Sequence, residues 1–345
     1  MKKTLFSLCI ATISLANAQT VTMEQANEPS VGNLKTMYLC DSLTDPLETV
    51  TGNNVTWDYS SIVGINSTRT IEVIDPATSP YSAQYPTSTK GFSIQGSLTN
   101  FYNSTATERV SQGFIFEEPS FGLVIATFGT DEQKTVSYPF AYGSTLTDNF
   151  AGSLQFDFNG MAQNPTCTGT SYASIDGQGT LLLPSGNTFS NVIRYKIVDT
   201  VFTQVSFIVP IDVIFVRTQY EYYDLTNDNL PLFTHSFVTI SQASSSTPLA
   251  TQSAVLSSVQ PTITTSLTAL TEENILIYPN PATEDITISS IGKNTTLFVS
   301  DLAGRTILSL ETESFNQVID ISELPEGTYL LTSDRMSSPI KLIKK

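Results

Sequence analysis

The sequence predicts an all-β protein, with an antiparallel β-sandwich body followed by a small β-sandwich at the C-terminus. Charged residues make up only 14% of the 345 residues, while aromatic residues reach 10%. β-branched and aromatic side chains suit the half-buried surface of a pleated sheet. Short segments in which apolar and polar residues alternate recur along the chain between turn residues, which is typical of an antiparallel sandwich.

The N-terminus has the three parts of a secretory signal peptide. Two lysines precede an apolar stretch over residues 5–15, and Ala16-Asn17-Ala18 forms a small-x-small cleavage site. The apolar stretch is too short to span a bilayer as a stable anchor. We therefore predict that residues 1–18 are removed and that the secreted chain begins at Gln19. The alternative is a buried N-terminal helix.

The body, residues 19–256, is predicted to be a sandwich of short strands. In SLQFDFNG, residues 153–160, apolar side chains alternate with polar ones, so that one face of the strand is apolar. DGQG at 176–179 and PSGN at 184–187 are predicted turns, because their glycines can adopt positive φ. These two turns would bracket a strand over residues 180–183.

A change in composition separates the body from the C-terminal region. Residues 241–268 carry no charged side chain, and half of them are Ser or Thr. Such a stretch offers few apolar side chains to a core and is typical of a linker. We predict a Ser/Thr-rich linker over residues 257–272 and a separate domain over residues 273–345.

Four motifs follow one another in the C-terminal domain. Tyr278-Pro279-Asn280-Pro281 interrupts a strand and would let it jog or switch sheets. Asp301-Leu302-Ala303-Gly304-Arg305 is a predicted turn between two strands, with Gly304 able to adopt a left-handed conformation. Leu324–Leu331 contains a second turn, and Lys341–Lys345 forms a basic terminus.

Together these motifs resemble the type A C-terminal sorting domain of the type IX secretion system of Bacteroidota, a small Ig-like β-sandwich. The resemblance implies that the outer-membrane secretion and sortase machinery recognises the tail and then usually removes it. The body would be released or attached to lipopolysaccharide on the outer face of the outer membrane. An ordinary Ig-like binding module is the alternative. The residues that the resemblance assigns to sorting are Tyr278, Pro279, Asn280, Pro281, Asp301, Gly304, Arg305, Gly327, Tyr329, Lys341, Lys344 and Lys345.

Two weaker resemblances concern the body. Residues 176–196 resemble a stretch of secreted proteins that carry the same tail, and this implies no activity. The triplets around Ser42 and Thr200, Asp-Ser-Leu and Asp-Thr-Val, resemble the O-glycosylation sites of the same phylum.

Removal of the signal peptide leaves two cysteines, Cys40 and Cys167. In an oxidising compartment they either pair as a disulfide or remain two buried thiols, and the sequence leaves both alternatives open. His235 is the only histidine. Two cysteines and one histidine do not make a usual closed zinc site, and His235 lacks the partners of a catalytic base. No metal and no cofactor are therefore predicted.

The sequence carries no motif of a known catalytic class. It lacks the nucleophile elbow, the HExxH helix and the glycine-rich phosphate loops. A glycosidase needs only two carboxylates, and the candidates are Glu117, Glu118, Asp157, Asp212 and Glu221. Because these residues alternate with apolar ones, we expect them on the solvent faces of strands. Residues 224–229 are rich in oxygen ligands but lack the spacing and glycine of a calcium loop, so a polar hairpin tip is expected there.

Two functions of different classes remain. The favoured one is a non-catalytic surface protein that binds a glycan or protein partner, and the other is a carbohydrate-active hydrolase or lyase that uses carboxylate or Tyr residues. The net charge of −16 argues against nucleic acid as a partner, because phosphate binding needs clustered Lys and Arg.

Overall fold

The computed structural model consists almost entirely of β-strands. It describes residues 21–41, 43, 46–95, 97–118, 122–158, 161–205, 210–244, 248–263, 276–289, 295–301, 304–312, 316–333 and 339–345. Within these residues the helical segments are two 3-10 turns, Gln25–Asn27 and Pro76–Thr78, and no helix is long and apolar enough to cross a membrane. The predicted signal peptide lies outside the described residues.

The body contains eighteen strands in its described part. In chain order they are β1 Thr22–Met23, β2 Leu34–Cys40, β3 Gly52–Asp58, β4 Val63–Ile74, β5 Lys90–Ile94, β6 Leu98–Ser104, β7 Glu108–Glu118, β8 Gly122–Asp131, β9 Gln133–Ser137, β10 Phe140–Ala141, β11 Thr145–Phe158, β12 Met161–Gln163, β13 Thr166–Leu183, β14 Asn187–Val205, β15 Ile211–Tyr223, β16 Phe233–Gln242, β17 Pro248–Ser257 and β18 Thr262–Ile263.

Twelve of these strands form a closed antiparallel β-barrel. Around the barrel their order is β2-β4-β5-β6-β7-β8-β11-β13-β14-β15-β16-β17, and β17 pairs again with β2. β11 pairs with β13, and this pairing joins the two halves of the sheet. It runs from Thr145, opposite Ser174, to Ser153, opposite Thr166. The predicted sandwich is therefore wrong for the body, since one continuous sheet curls until its ends meet.

Irregularities in the strands accompany this curvature. The register of β6 and β7 shifts between Phe101 and Tyr102, next to Gly113, which has a φ of 136°. A Cβ on Gly113 would lie 1.9 Å from the carbonyl oxygen of Ala126, so only glycine fits. Bulges of this kind bend a strand and increase its twist, which helps a sheet to close.

The predicted turn at 176–179 is also wrong. β13 continues through this segment, with register shifts between Ile175 and Gly177 and between Gly179 and Leu181. The glycines allow β13 to approach the parallel neighbour β3 closely. A Cβ on Gly179 would lie 1.9 Å from the carbonyl oxygen of Val55 in β3. The next predicted turn is confirmed, because residues 184–186 connect β13 to β14 with positive φ at Ser185 and Gly186.

A fully buried guanidinium holds the segment from β2 to β4 against one end of the barrel. Arg194 of β14 donates from Nε and Nη2 to the two carboxylate oxygens of Asp176, at 2.7 and 3.0 Å. It also donates to the carbonyl oxygens of Leu47 at 2.8 Å and Glu48 at 3.3 Å. Its guanidinium carbon lies 5.4 Å from the centroid of the Trp57 ring. One side chain thus links the barrel wall to the connecting loop and to β3.

The beginning of the predicted linker packs on the barrel. Ser257 is buried, Ser258 donates its backbone N–H to the carbonyl of Leu232, and β18 pairs in parallel with β4. Residues 264–275, which include the rest of the predicted linker, lie outside the described residues.

The C-terminal region forms two further antiparallel sheets. Its strands are β19 Leu276–Tyr278, β20 Asp285–Ser289, β21 Thr296–Asp301, β22 Thr306–Glu311, β23 Asn316–Asp320, β24 Gly327–Ser333 and β25 Ile340–Lys344. One sheet has the order β19-β20-β23 and the other β22-β21-β24-β25. Buried residues of both sheets, including Ile286, Ile288, Val299 and Leu331, belong to one apolar cluster. The region therefore has a core of its own.

The two cysteines are free and buried. Cys40 belongs to the apolar cluster around Trp57, and Cys167 belongs to a different cluster with Phe150. Burial raises the pKa of Cys40 to about 12 and that of Cys167 to about 11. Both thiols are therefore uncharged and shielded at neutral pH, which makes them poor nucleophiles.

We predict that Arg194→Ala lowers the free energy of unfolding by about 3–5 kcal/mol, because it leaves Asp176 as a half-buried carboxylate without its partner. Equilibrium unfolding in urea measures the effect. The matched control is Lys196→Ala, two positions along the same face, which removes a 3.5 Å contact with Glu48 and a contact of the ammonium with the Tyr220 ring, and should cost about 1 kcal/mol or less. Equal losses for the two variants would contradict the role given to Arg194.

We also predict two free thiols in a chain that begins at Gln19. Labelling with a maleimide in guanidinium, without reductant, should modify both cysteines, whereas the native protein should react slowly because both side chains are buried. The Cys167→Ala variant should leave one reactive thiol. Recovery of no free thiol from the unfolded, unreduced protein would show that Cys40 and Cys167 are paired.

Candidate functional site

The motif at residues 278–281 bends the chain out of one C-terminal sheet and against the other. β19 ends at Tyr278 in the three-stranded sheet, and Ala282 then forms a parallel bridge with Lys344 of the four-stranded sheet. Asn280 holds this segment against β25: its Nδ2 donates to the carbonyl of Lys341 at 2.7 Å, and its Oδ1 accepts from the N–H of Ile343 at 2.9 Å. The predicted jog is confirmed, whereas a switch of sheets is wrong, because β20 pairs again with β19 in the three-stranded sheet.

The next two motifs act through turn chemistry. Gly304 has a φ of 80°, as predicted, and Arg305 donates its backbone N–H to Asp301 at 3.0 Å and pairs with the same carboxylate at 2.7 Å. Tyr329, after Gly327, donates its hydroxyl to the carbonyl of Pro325 at 2.8 Å. Residues 302–303 lie outside the described residues.

The side chains of the C-terminal motifs divide into two groups. Tyr329 is buried, whereas Tyr278, Arg305, Lys341 and Lys345 are exposed. The buried group stabilises the fold of the region, and the exposed group is accessible to another molecule.

This C-terminal region has known relatives. The family model of the secretion system C-terminal sorting domain matches residues 276–345. The sorting domain supports type IX secretion of this chain, interaction with the type IX machinery, and a location outside the cell or on its surface. The match covers the tail and assigns nothing to the barrel. Comparisons with curated proteins and with solved structures found no match.

The barrel carries an extended surface without charge. On β11 and β13–β17, three cross-strand rows of outward-facing residues contain no Asp, Glu, Lys or Arg. The rows are Thr147-Tyr172-Val198-Thr218-Phe237-Ser253, Asn149-Thr170-Thr200-Val216-Thr239-Thr251 and Ala151-Thr168-Phe202-Ile214-Ser241-Pro248. We call these rows the uncharged face. Within it, Tyr172, Phe202 and Phe237 are 42%, 45% and 41% exposed.

The opposite side of these strands contains buried charges. Arg217 of β15 is bonded through Nε at 2.8 Å to Asp199 of β14, whose other oxygen accepts from Gln133. Arg109 of β7 lies 3.4 Å from Glu28. Two ion pairs thus lie inside the barrel, where their mutual attraction offsets the cost of removing charge from water.

Of the candidate carboxylates, one lies in this interior. Glu221 is 8% exposed and accepts hydrogen bonds from Tyr223, at 2.6 Å, and from Gln219. Its predicted position on a solvent face is wrong, because Arg217, Gln219 and Glu221 of β15 face the cavity inside the barrel. Glu117, Asp157 and Asp212 are exposed, and the side chain of Glu118 lies outside the described residues.

The oxygen-rich loop at residues 224–229 binds an ammonium group of the chain itself. Lys35 Nζ lies 2.6 Å from Asp228 Oδ2 and donates to the carbonyls of Leu230 and Pro231 at 3.0 and 3.1 Å. The loop is a polar hairpin tip, as predicted, and Lys35 occupies the position where a cation would be attracted. Across the described residues, no cluster of His, Cys, Asp and Glu is suited to a metal ion.

The remaining predicted residues are His235, Thr200 and Ser42. His235 is buried beside Ser253, with its Nε2 3.3 Å from the serine hydroxyl, and burial lowers its pKa. Thr200 lies half-buried in the uncharged face, while its neighbour Asp199 faces the interior. Ser42 lies outside the described residues, and O-glycosylation at both positions stays a prediction.

Sequence reasoning missed Glu28, Arg109 and Arg217. Their charges lie far apart in the chain, and the residues around them form no known motif. The sequence does contain a usable signal. In β15, Arg217 lies on the same side of the strand as the buried Val213, and in β14, Asp199 lies on the same side as the buried Val201. Charges of opposite sign on the apolar side of two adjacent strands indicate an interior ion pair.

We predict that Asn280→Ala reduces export towards the level of a chain that lacks residues 276–345, which should remain in the periplasm. The substitution removes both hydrogen bonds to β25 and should destabilise the sorting domain by about 1 kcal/mol or more. Fractionation of cells into periplasm, surface and medium measures the effect. Ser309→Ala, at an exposed position on β22, is the matched control. Full export of the truncated chain would contradict the role of the tail.

Proposed function

We propose that the chain is delivered by type IX secretion to the outer face of the outer membrane, where its barrel acts as a non-catalytic module that binds a neutral glycan. Attachment to lipopolysaccharide after removal of the tail would hold the barrel at the surface. The uncharged face is the observation that carries the proposal for the body.

The absence of charge on this face is selective. The chain carries a net charge of −16, yet eighteen neighbouring positions on six strands avoid acidic and basic side chains. The next row on one side of the face contains Lys196, and the next row on the other side contains Asp212. A surface of this kind favours a ligand that is itself uncharged, because it offers nothing to pair with a phosphate or carboxylate.

The residue types on the face suit a sugar polymer. In one row, Thr170 and Thr200 lie on adjacent strands, as do Thr239 and Thr251, about 5 Å apart within each pair, and Val216 lies between the two pairs. Exposed aromatic rings offer flat apolar surfaces with geometric preferences, on which the C–H faces of sugar rings can stack. A continuous exposed apolar and hydroxyl surface commonly marks an interaction site.

The described carboxylates favour binding over hydrolysis. Glu117, Asp157 and Asp212 are exposed on separate strands, and Glu221 lies inside the barrel in a cavity of about 80 Å³. A cavity of that volume corresponds to the liquid volume of about three water molecules, which is too small for a sugar ring. This placement supports the non-catalytic proposal.

We predict that Tyr172→Ser, Phe202→Ser and Phe237→Ser each weaken binding of a neutral glycan by about tenfold, because each removes one stacking surface. A glycan array of neutral and anionic polysaccharides, followed by calorimetry on the hits, measures the effect. Tyr142→Ser is the matched control, since Tyr142 is 40% exposed and lies outside the uncharged face.

Two outcomes would contradict this proposal. Release of sugar fragments by the purified barrel would identify a hydrolase or lyase. Equal binding by all four variants would place the glycan elsewhere on the protein.

A further inference from the structure

The barrel interior encloses a cavity that the proposed function does not use. The cavity has a volume of about 80 Å³, and its lining includes Glu28, Tyr102, Arg109, Tyr195, Arg217 and Glu221. Four of these six side chains are ionisable carboxyl or guanidinium groups, which is unusual for a protein interior because charge is costly to bury.

Glu28 has an unused acceptor in this cavity. The residue is 8% exposed. Its Oε1 accepts hydrogen bonds from Tyr138 and from Arg109, whereas its Oε2 is buried without a hydrogen-bond partner among the described residues. A buried carboxylate oxygen without a donor is costly. The Tyr102 hydroxyl faces the same carboxylate, yet in this arrangement Oε2 receives no hydrogen bond from the described residues.

Two guanidinium groups in the cavity have unused donors. Arg109 donates from Nε to Thr135 at 3.3 Å and from Nη1 to Glu28 at 3.4 Å. Arg217 donates from Nε and Nη2 to Asp199. Among the described residues, Nη2 of Arg109 and Nη1 of Arg217 have no hydrogen-bond partner. The same cavity therefore also lacks an acceptor.

We propose that this cavity binds a small zwitterion of the amino-acid type, of the size of glycine or alanine. Its carboxylate accepts from the unused nitrogens of Arg109 and Arg217, and its ammonium donates to Oε2 of Glu28. Charge-assisted hydrogen bonds at both ends satisfy the missing donor and the missing acceptor together. Glu221 is already satisfied by Tyr223 and Gln219, and its negative charge adds to the attraction for the ammonium.

A path into the cavity lies at the loop that follows β15. Leu225 and Asn229 line the cavity and also an open pocket of about 400 Å³ on the outside. The N-terminal segment closes over the same loop, with Asn27 donating from Nδ2 to the carbonyl of Leu225 at 3.4 Å. The cavity and the outer pocket therefore meet at Leu225 and Asn229.

The test uses the full mature chain in calorimetry and native mass spectrometry with glycine, L-alanine, acetate, methylammonium and L-leucine. We expect saturable binding of glycine or L-alanine, and weaker binding of acetate and methylammonium, each of which offers one end of the zwitterion. L-leucine should not bind, because its side chain exceeds the cavity. Glu28→Gln should weaken zwitterion binding by about tenfold or more, whereas Glu117→Gln, the same change at an exposed site of β7, should leave it unaltered.

The proposal is overturned if the folded wild-type chain binds no zwitterion, which would show a cavity filled by water only. It is also overturned if acetate binds as tightly as glycine, or if Glu28→Gln binds glycine as the wild type does. Should Glu28→Gln fail to fold, the ligand comparison on the wild-type chain decides alone. Glycan binding at the uncharged face is measured separately, so failure of either proposal leaves the other unaffected.

Discussion

Closure of the sheet is the constraint on which the rest of the body depends. Each of the twelve barrel strands has a neighbour on both sides, so none of them is left as an open edge, and one face of every strand is turned away from solvent. A charge on that face needs a partner inside, because water is largely excluded. The ion pairs of Arg217 with Asp199 and of Arg109 with Glu28 meet this requirement. Glu28 comes from the N-terminal segment, so this segment completes the interior as well as covering it.

The outside of the barrel divides into two parts with opposite character. At one end the segment between β2 and β4 lies over the wall, and Arg194 fastens it through Asp176, Leu47 and Glu48. On β11 and β13–β17 the wall continues into the uncharged face, where aromatic and hydroxyl side chains remain exposed. At one end, the outward side chains of these strands pack against the covering segment, and at the other end they contact solvent. The residue types on β15 change accordingly from Tyr220 and Tyr222 to Thr218 and Val216.

The sequence predicts the strands and the sorting domain well, because both depend on local patterns. Alternation marks strands such as β11, and the Tyr-Pro-Asn-Pro motif marks the point where the chain bends out of its sheet towards β25. Closure could not be predicted, since a strand in a barrel and one in a sandwich have the same period of two. Alternation also does not say which face is inside. In β15 the charged residues Arg217 and Glu221 face the interior together with the apolar Val213, whereas the apolar Val216 faces outward. Both faces of this strand therefore carry apolar residues, and alternation alone does not assign them.

The pairing of β2 with β17 has a consequence for how the protein is made. Cys40 and Val255, opposite each other across this pair, are separated by more than 200 positions in the chain. Pairing at such a separation requires closure of a long loop, which costs conformational entropy before any contact forms. Folds dominated by distant contacts are therefore slow to form. Until that seam joins, the incomplete ring exposes two unpaired strand edges that can associate with other chains. An exported chain with this topology is therefore open to aggregation until its first and last barrel strands meet.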